Sequence, residues 1–424
     1  MAKDINKILI ALGAFKDVFS PIESCEMIKG VISRLRDKNF NPGIECVSIA
    51  DGGEYSSDVI ASHFDAEYIS VINVLNPYKE LVNSGYLMLD NNTAFIGSSD
   101  ILRISPEFDN YKNPLNLTSY GLGQLVNHAI EQGVKKIMVG LGGTNTVDAG
   151  IGMLQALGIK FLGSDRQKLI PLDGKYYSGG DLYNIENIIV DTAVASKLSN
   201  INIQTLCDGR ITIKEMYTPN NQKIGDKFNN ERKAINAKLE QGIKQYANVI
   251  EHYLINVKGY KSRLQVESTD FYGVAGGINL SLNAIFNLEM RSGIDFFIDI
   301  MAVESKAQGS DLIITGEGRL DNSLAGKTPI GISRIAKKYD KPLLFLTGDV
   351  SDSLKQFFHG SSSEDLPSEL KDNGISTIIS CHHYYKNRKV PDDVIERNMI
   401  FRDNTPKILE EAIIHYFSRS GYIQ

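Results

Sequence analysis

Cysteine is scarce in this sequence, and the four present, Cys25, Cys46, Cys207 and Cys381, form no C-x-x-C pair. That argues against a zinc knuckle or a redox dithiol and fits a reducing cytoplasm. There is no surplus of positive charge either, since 45 Lys and Arg against 51 Asp and Glu leave a formal charge of −6. Nucleic acid and anionic membrane surfaces reward clustered cations, so neither is expected as a partner. Long apolar runs are missing. The opening "MAKDINKILIALGAF" is charged before a run about half the length of a membrane span, and it carries no small-residue cleavage pattern, so it reads as a first strand. Internal repeats and low-complexity tracts are also absent. These absences leave a cytoplasmic enzyme or small-molecule binder, with 42% apolar residues available for burial. At 424 residues the chain is too long for one ordinary core, which implies two or more domains.

The opening third alternates strand and helix signals. "KILIAL" (7–12) is a short apolar run, and Ser20, Pro21 and Glu23 then supply a capping box with proline at the first helical position. "ECVSIA" (45–50) reads as the next strand and "DGGEYSSDVIASHF" turns into a helix, so two strand-loop-helix units imply a parallel sheet with crossover helices. That rhythm lapses from about residue 66 and returns in "SDLIITGEGRLDNSLAGKTPIGISRIAKKY" (310–339). In between, Ile235, Leu239, Ile243, Tyr246 and Ile250 recur at helical spacing, which predicts a core-facing helix. "KPLLFLTGDV" and "ISTIISC" read as buried strands and "TPKILEEAIIHYF" as a closing helix.

In an open parallel sheet, ligands gather outside the carboxyl ends of the strands. Glycine-rich turns with acids occupy such places here: "LGAFKD", "ADGGEYSS", "GLGGTNTVDAG", "LCDG", "GVAGG" and "TGEGRLDNSLAGKT". Glycine lets the main chain approach an anion, and carboxylates beside it bind Mg²⁺ or take a proton from a hydroxyl. Both together suit phosphoryl transfer. Standard phosphate motifs are incomplete, however. "DNSLAGKT" has Asp321 where a Walker loop needs its first glycine, and "GLGGTN" has Asn145 for the third glycine of the dinucleotide fingerprint. A P-loop kinase and a nicotinamide dehydrogenase are both disfavoured. Asp148 stands at or near a helix start, where an acid also serves as a cap. His382 and His383 read as a surface turn and not as a metal site, because adjacent residues on a strand point apart.

Taken together, these turns resemble the type I glycerate kinase family. The matching pieces are "ADGGE" (50–54), "GLGGT" with Asp148, Gly150 and Gly152, "AGG" (275–277), "SGI" (292–294) and "ITGEGRLD" with "GKTPIG" (314–331). They stand in family order from about Lys7 to Val350. The resemblance implies ATP and Mg²⁺ as cofactors, D-glycerate as acceptor, usually at its 2-hydroxyl, and hence a small hydroxy acid and a nucleotide as partners. The fold it implies is α/β: a flavodoxin-like, Rossmann-like parallel-sheet domain built from both chain ends, with a second α/β domain inserted. On this chain those are residues 1–70 with 290–424, and 71–289. Oligomeric state is left open. By the same resemblance Asp148, Asp51 and Lys16 are catalytic candidates, either acid being the base. Gly142, Gly143, Thr144, Gly276, Gly277, Glu317, Arg319 and Lys327 would bind substrate or phosphate, and Asp208, Asp321 and Glu54 would hold metal.

Several polar family positions are replaced. The family's A-P-D-S-F-K is "ALGAFK" here, with Gly13 for the acid; T-S-R is "TSY", with Tyr120 for the cation; and Val147 stands for the Asn beside Asp148. Losing one group that holds charge on a transferring phosphoryl costs roughly a hundredfold or more in rate. The alternative reading is therefore a catalytically weakened or non-catalytic binding or regulatory protein on the same scaffold.

Overall fold

Ser20 opens the first helix, Pro21–Arg34, through a reciprocal pair of hydrogen bonds. The Glu23 N–H donates to Ser20 Oγ at 3.2 Å and the Ser20 N–H donates to Glu23 Oε2 at 2.9 Å. One face of that helix buries Cys25, Ile28, Val31 and Ile32. The computed structural model describes residues 5–419 except 16–17, 37–39, 104–111, 217–223, 260–265, 321–327, 352–353, 355–357, 360–361, 364–365, 367, 376 and 382–393.

Along the chain the strands are β1 (Lys7–Leu12), β2 (Gly43–Ser48), β3 (Glu67–Leu75), β4 (Leu81–Asp90), β5 (Thr93–Gly97), β6 (Lys136–Leu141), β7 (Lys160–Leu162) and β8 (Asn187–Ile189). They continue as β9 (Asn202–Cys207), β10 (Asn287–Ser292), β11 (Leu312–Leu320), β12 (Leu343–Val350), β13 (Phe358–His359), β14 (Ser362–Ser363) and β15 (Thr377–Ser380). The chain divides into two compact units, Met1–Asp51 with Ile294–Gln424, and Gly52–Gly293.

In the unit made from the chain ends, the sheet order is β13-β14-β15-β12-β11-β1-β2. β15, β12, β11, β1 and β2 are parallel, and β13 and β14 add an antiparallel edge. Counted within the unit, the parallel strands lie in the order 2-1-3-4-5, which is the flavodoxin-like doubly wound arrangement, with its switch point between β1 and β11. β1 supplies the apolar centre: Ile8, Ile10 and Leu12 pack with Leu312, Ile314, Leu344 and Leu346 in one buried cluster. Such near-continuous apolar strands are what a sheet covered on both faces requires.

The inner unit holds a six-stranded sheet in the order β10-β9-β6-β5-β4-β3 and a separate antiparallel pair, β7-β8. β10, β9, β6 and β5 are parallel, whereas β4 is antiparallel to both β5 and β3. The long helix Arg232–Asn256 buries Ile235, Leu239, Ile243, Tyr246 and Ile250, the residues whose spacing marks it in the sequence. Two elements extend this unit beyond the boundaries suggested by sequence rhythm. β3 pairs with β4 along Glu67–Leu75, and β10 pairs with β9 along Asn287–Ser292, so both ends of the division fall outside those strands. Among the described residues, no helix is long and apolar enough to cross a membrane.

Candidate active site

β6 and β9 run side by side in parallel register, from Lys136 beside Asn202 to Leu141 beside Cys207, and so end together. The turns that follow them meet. Residues 142–147, Asp208 and Ile211, and the turn at Gly273, Ala275 and Gly276 line one cavity of about 190 Å³. The glycines allow that meeting. A Cβ on Gly142 would lie 2.1 Å from Asp208 Oδ2, and one on Gly276, whose φ is +69°, would lie 1.9 Å from the Thr146 carbonyl oxygen. Only hydrogen fits at Gly276, and a larger group at Gly142 would have to displace the Asp208 side chain. The Ala149 N–H donates to the Gly276 carbonyl at 2.9 Å, tying two of the turns together. Ala275, on the cavity wall, takes a left-handed backbone with φ of 51°, a strain that recurs at ligand-binding turns.

Of the residues expected from sequence to bind substrate or metal, this cavity gathers Gly142, Gly143, Thr144, Gly276 and Asp208. Glu54 is beside it, since a Cβ on Gly143 would stand 2.7 Å from Glu54 Cγ, and Gly277 packs against Ala149. Glu317 and Arg319 are in the other unit, on the carboxyl end of β11, next to the switch point of that sheet. There Arg319 Nε lies 3.7 Å from Asp349 Oδ2 on the neighbouring strand, both side chains being exposed. Asp51 is the last residue of the terminal unit before Gly52. Lys16, Asp321 and Lys327, and the pair His382 and His383, lie outside the described residues.

Asp148 does not line the cavity. It is fully buried, and its Oδ2 accepts from the Ser119 N–H at 2.7 Å, the Ser119 hydroxyl at 2.8 Å and the Gly152 N–H at 3.3 Å, while Oδ1 accepts from the Gly150 N–H at 3.0 Å. Burial pushes its carboxyl above the ordinary value, and the hydrogen bonds from Ser119, Gly150 and Gly152 oppose that shift. Ser119 in turn precedes the helix Tyr120–Glu131, and its hydroxyl accepts from the Met153 N–H at 3.0 Å. Asp148 thus fastens the starts of two helices, Tyr120–Glu131 and Ile151–Ala156, in the manner of a cap. The geometry favours the capping reading of this acid over that of a base facing a bound hydroxyl. Tyr246 reaches the same turn from the long helix, its hydroxyl 2.8 Å from Ser281 Oγ, which donates to the Ala149 carbonyl at 2.5 Å.

Lys112 lines the cavity as well, only 4% exposed, with Nζ donating to Asn145 Oδ1 at 2.9 Å. Sequence reasoning passed over it, because "YKNP" reads as a polar turn and no periodicity marks a buried lysine. The one available signal was Asn145, the residue that breaks the dinucleotide fingerprint. Thr146, 2% exposed, also lines the cavity, and its Oγ1 is buried without a hydrogen-bond partner among the described residues. Among the described residues, no group of three or more His, Cys, Asp or Glu side chains is arranged to hold a metal. Asp208 and Glu54, each against a neighbouring glycine of one turn, suit an ion that needs one or two carboxylates and takes its other oxygens from water and phosphate.

The sequence profile of the Glycerate kinase family matches residues 8–364. The chain is 31% identical over 351 residues to a glycerate kinase of Bacillus cereus (strain ATCC 10987 / NRS 248), covering 81% of this chain and 86% of that protein. It is 30% identical over 354 residues to a glycerate 2-kinase of Escherichia coli (strain K12), covering 82% and 86%. The crystal structure of a candidate glycerate kinase 2 from Salmonella typhimurium LT2 superposes with a TM-score of 0.63 at 24% identity, over 96% of this chain and 99% of that one, a likeness that shows the fold. The turns that meet around Asp208 thus belong to a chain matched along most of its length, and this protein is a member of the glycerate kinase family.

Proposed function

We propose that this protein is an ATP-dependent kinase that phosphorylates a hydroxyl of D-glycerate or a related small hydroxy acid. The observation that carries the reading is the convergence of the glycine turn 142–146, the turn at Gly276 and the carboxylate of Asp208 on one cavity, in a chain of the glycerate kinase family. In the reaction the acceptor hydroxyl oxygen attacks the γ-phosphorus, the β–γ bridging P–O bond breaks, and ADP departs. The hydroxyl proton passes to a carboxylate. Asp51 is the acid proposed for that role. The backbone of Gly142, Gly143, Thr144, Gly276 and Gly277 cradles anionic oxygens, and Glu317, Arg319 and Lys327 contact substrate or phosphate. Lys16 acts on the transferring phosphoryl. Asp208, Glu54 and Asp321 are the residues that would hold Mg²⁺, which when bound neutralises charge on the phosphates. Asp148 is a positioning residue, setting the turn between itself and Gly142.

The test is release of ADP in the presence of D-glycerate and of other short hydroxy acids, with and without Mg²⁺. Turnover that needs both acid and metal supports the proposal. Val147 gives a second reading its footing, because an apolar side chain lines the cavity where the family resemblance leads one to expect an amide. On that reading the protein binds a small acid and does not turn it over. Saturable binding of D-glycerate with no ADP formed under any condition would favour it.

A further inference from the structure

We infer that this protein forms a symmetric dimer in which β3 of one copy pairs antiparallel with β3 of a second, joining the two inner-unit sheets edge to edge.

Three observations carry it. First, the edge is open. β3 ends the six-stranded sheet and, among the described residues, pairs with β4 alone. Gln124 closes one end of that edge, its Oε1 accepting from the Leu75 N–H at 2.9 Å and its Nε2 donating to the Asn73 carbonyl at 3.3 Å. From Glu67 to Ile72, no hydrogen bond outside the β3–β4 ladder reaches the backbone among the described residues. Such a row of N–H and C=O groups is a template for another strand.

Second, the edge lacks the usual guards. β3 contains no lysine or proline, and Glu67 is its one charged residue. The bulge between Val71 and Val74, where Asn73 is left-handed at φ 59°, ends the straight run only after Ile72. Tyr68, 60% exposed, and Ile72, 68% exposed, stand on one face by strand alternation. The Tyr68 ring leans over Gly85 of β4, where a Cβ would lie 2.6 Å from Tyr68 Cζ, so it is already ordered while its flank toward the edge stays uncovered.

Third, the strand matches itself. A two-fold interface must be self-complementary, and "EYISVIN" (67–73) reads alike from both ends. With the axis at Ser70, Tyr68 stands opposite Ile72 of the second copy and Ile69 opposite Val71. Aromatic and β-branched side chains make favourable cross-strand pairs. Ile69 and Val71 are already half-buried against the core, and the added strand covers what remains of them. The two Glu67 carboxylates fall roughly 20 Å apart along the strands, beyond the Debye length of about 8–10 Å. Moving the axis to Ile69 or Val71 sets Ser70 against Tyr68 or Ile72 and loses the match. β5 and β4 separate this edge from β6, so the pairing does not use the cavity.

Sedimentation velocity of the full chain over about 1–100 µM, where a modest interface dissociates, compares wild type with Ile72→Lys and Ile170→Lys. Wild type should pass from monomer to dimer as concentration rises. Ile72→Lys puts two cations into the two-fold interface and should raise the dimer Kd about tenfold to a hundredfold. Ile170→Lys, at a residue 70% exposed outside the sheet, should leave the Kd unchanged. Across antiparallel strands the two copies of residue 70 stand about 4.5–5.5 Å apart at Cα, so Ser70→Cys should link dimers under mild oxidant and Glu67→Cys should not. Wild type oxidised alongside gives the background of the native thiols. A monomer at every concentration overturns the inference and leaves the edge to a strand of another protein. A dimer that folded Ile72→Lys leaves intact overturns it as well; should that variant not fold, the absence of linked Ser70→Cys dimers does so.

Discussion

A methyl group on Gly142 would stand 2.1 Å from Asp208 Oδ2, so the carboxylate that ends β9 lies directly on the turn that ends β6. Gly142→Ala must push the Asp208 side chain aside. We expect a fall in kcat/KM for the acceptor of about a hundredfold, the loss that a misplacement of about 1 Å at a reacting centre can bring. Steady-state kinetics with the acceptor varied checks this; a fall confined to the KM for nucleotide would detach Asp208 from the acceptor.

Asp148 gives a prediction of a different kind. Its carboxylate accepts from three backbone N–H groups and one hydroxyl in a fully buried position. Asp148→Asn turns one acceptor into a donor facing other donors. Urea unfolding should show a loss of roughly 1–3 kcal/mol, because buried donors are left unmet. Preserved stability with abolished turnover would instead return Asp148 to the chemistry.

Glu45 tests the terminal unit. It is bridged to Lys306 at 2.5 Å and to Lys7 at 2.8 Å, and those two ammonium groups, Lys306 first, hold its carboxyl below the ordinary 4.5. A carboxyl lowered in the folded state contributes stability that is present above its unfolded value and lost as pH falls through the folded one. Glu45→Gln should therefore cost about 0.5–1 kcal/mol at neutral pH, less in high salt. The gap between the two proteins should begin to close below pH 4.5 and vanish at lower pH, which thermal melts across that range would reveal.

The thiols should be quiet. Burial pushes Cys25, Cys207 and Cys381 up to about 12 and Cys46 to about 11, so almost none is thiolate near neutrality. Ellman's reagent should label the native protein slowly and all four cysteines at once after denaturant is added. Rapid labelling of a native thiol would contradict the packing around it.

Much of the fold was legible because its signals are local. The Ser20–Glu23 box needs only four consecutive residues, and the helix through Ile235 and Tyr246 announces itself by period alone. The meeting of turns at the cavity was legible in part, since glycine with an acid at a strand end is a local pattern too. Asp148 was ambiguous for a physical reason: Ser119, which holds it, lies 29 residues away, and nothing in "TSY" tells of that partnership. Lys112 was illegible because burial of a charge depends on what folds over it. Asn145, which breaks the dinucleotide fingerprint, acquires its reason only when seen accepting from that lysine.

Strand β1 of the terminal unit finds one of its two neighbours late. Ile8 of β1 lies beside Leu312 of β11, with the whole of Gly52–Gly293 translated between them. A nascent chain therefore completes the inner unit, cavity included, while β1, wholly apolar after Lys7 and flanked by β2 alone, still awaits the strand on its other side. Until β11 emerges from the ribosome, that greasy segment is a natural client for a holding chaperone, and a chain arrested before Leu312 should bind one far more tightly than a chain released after β12.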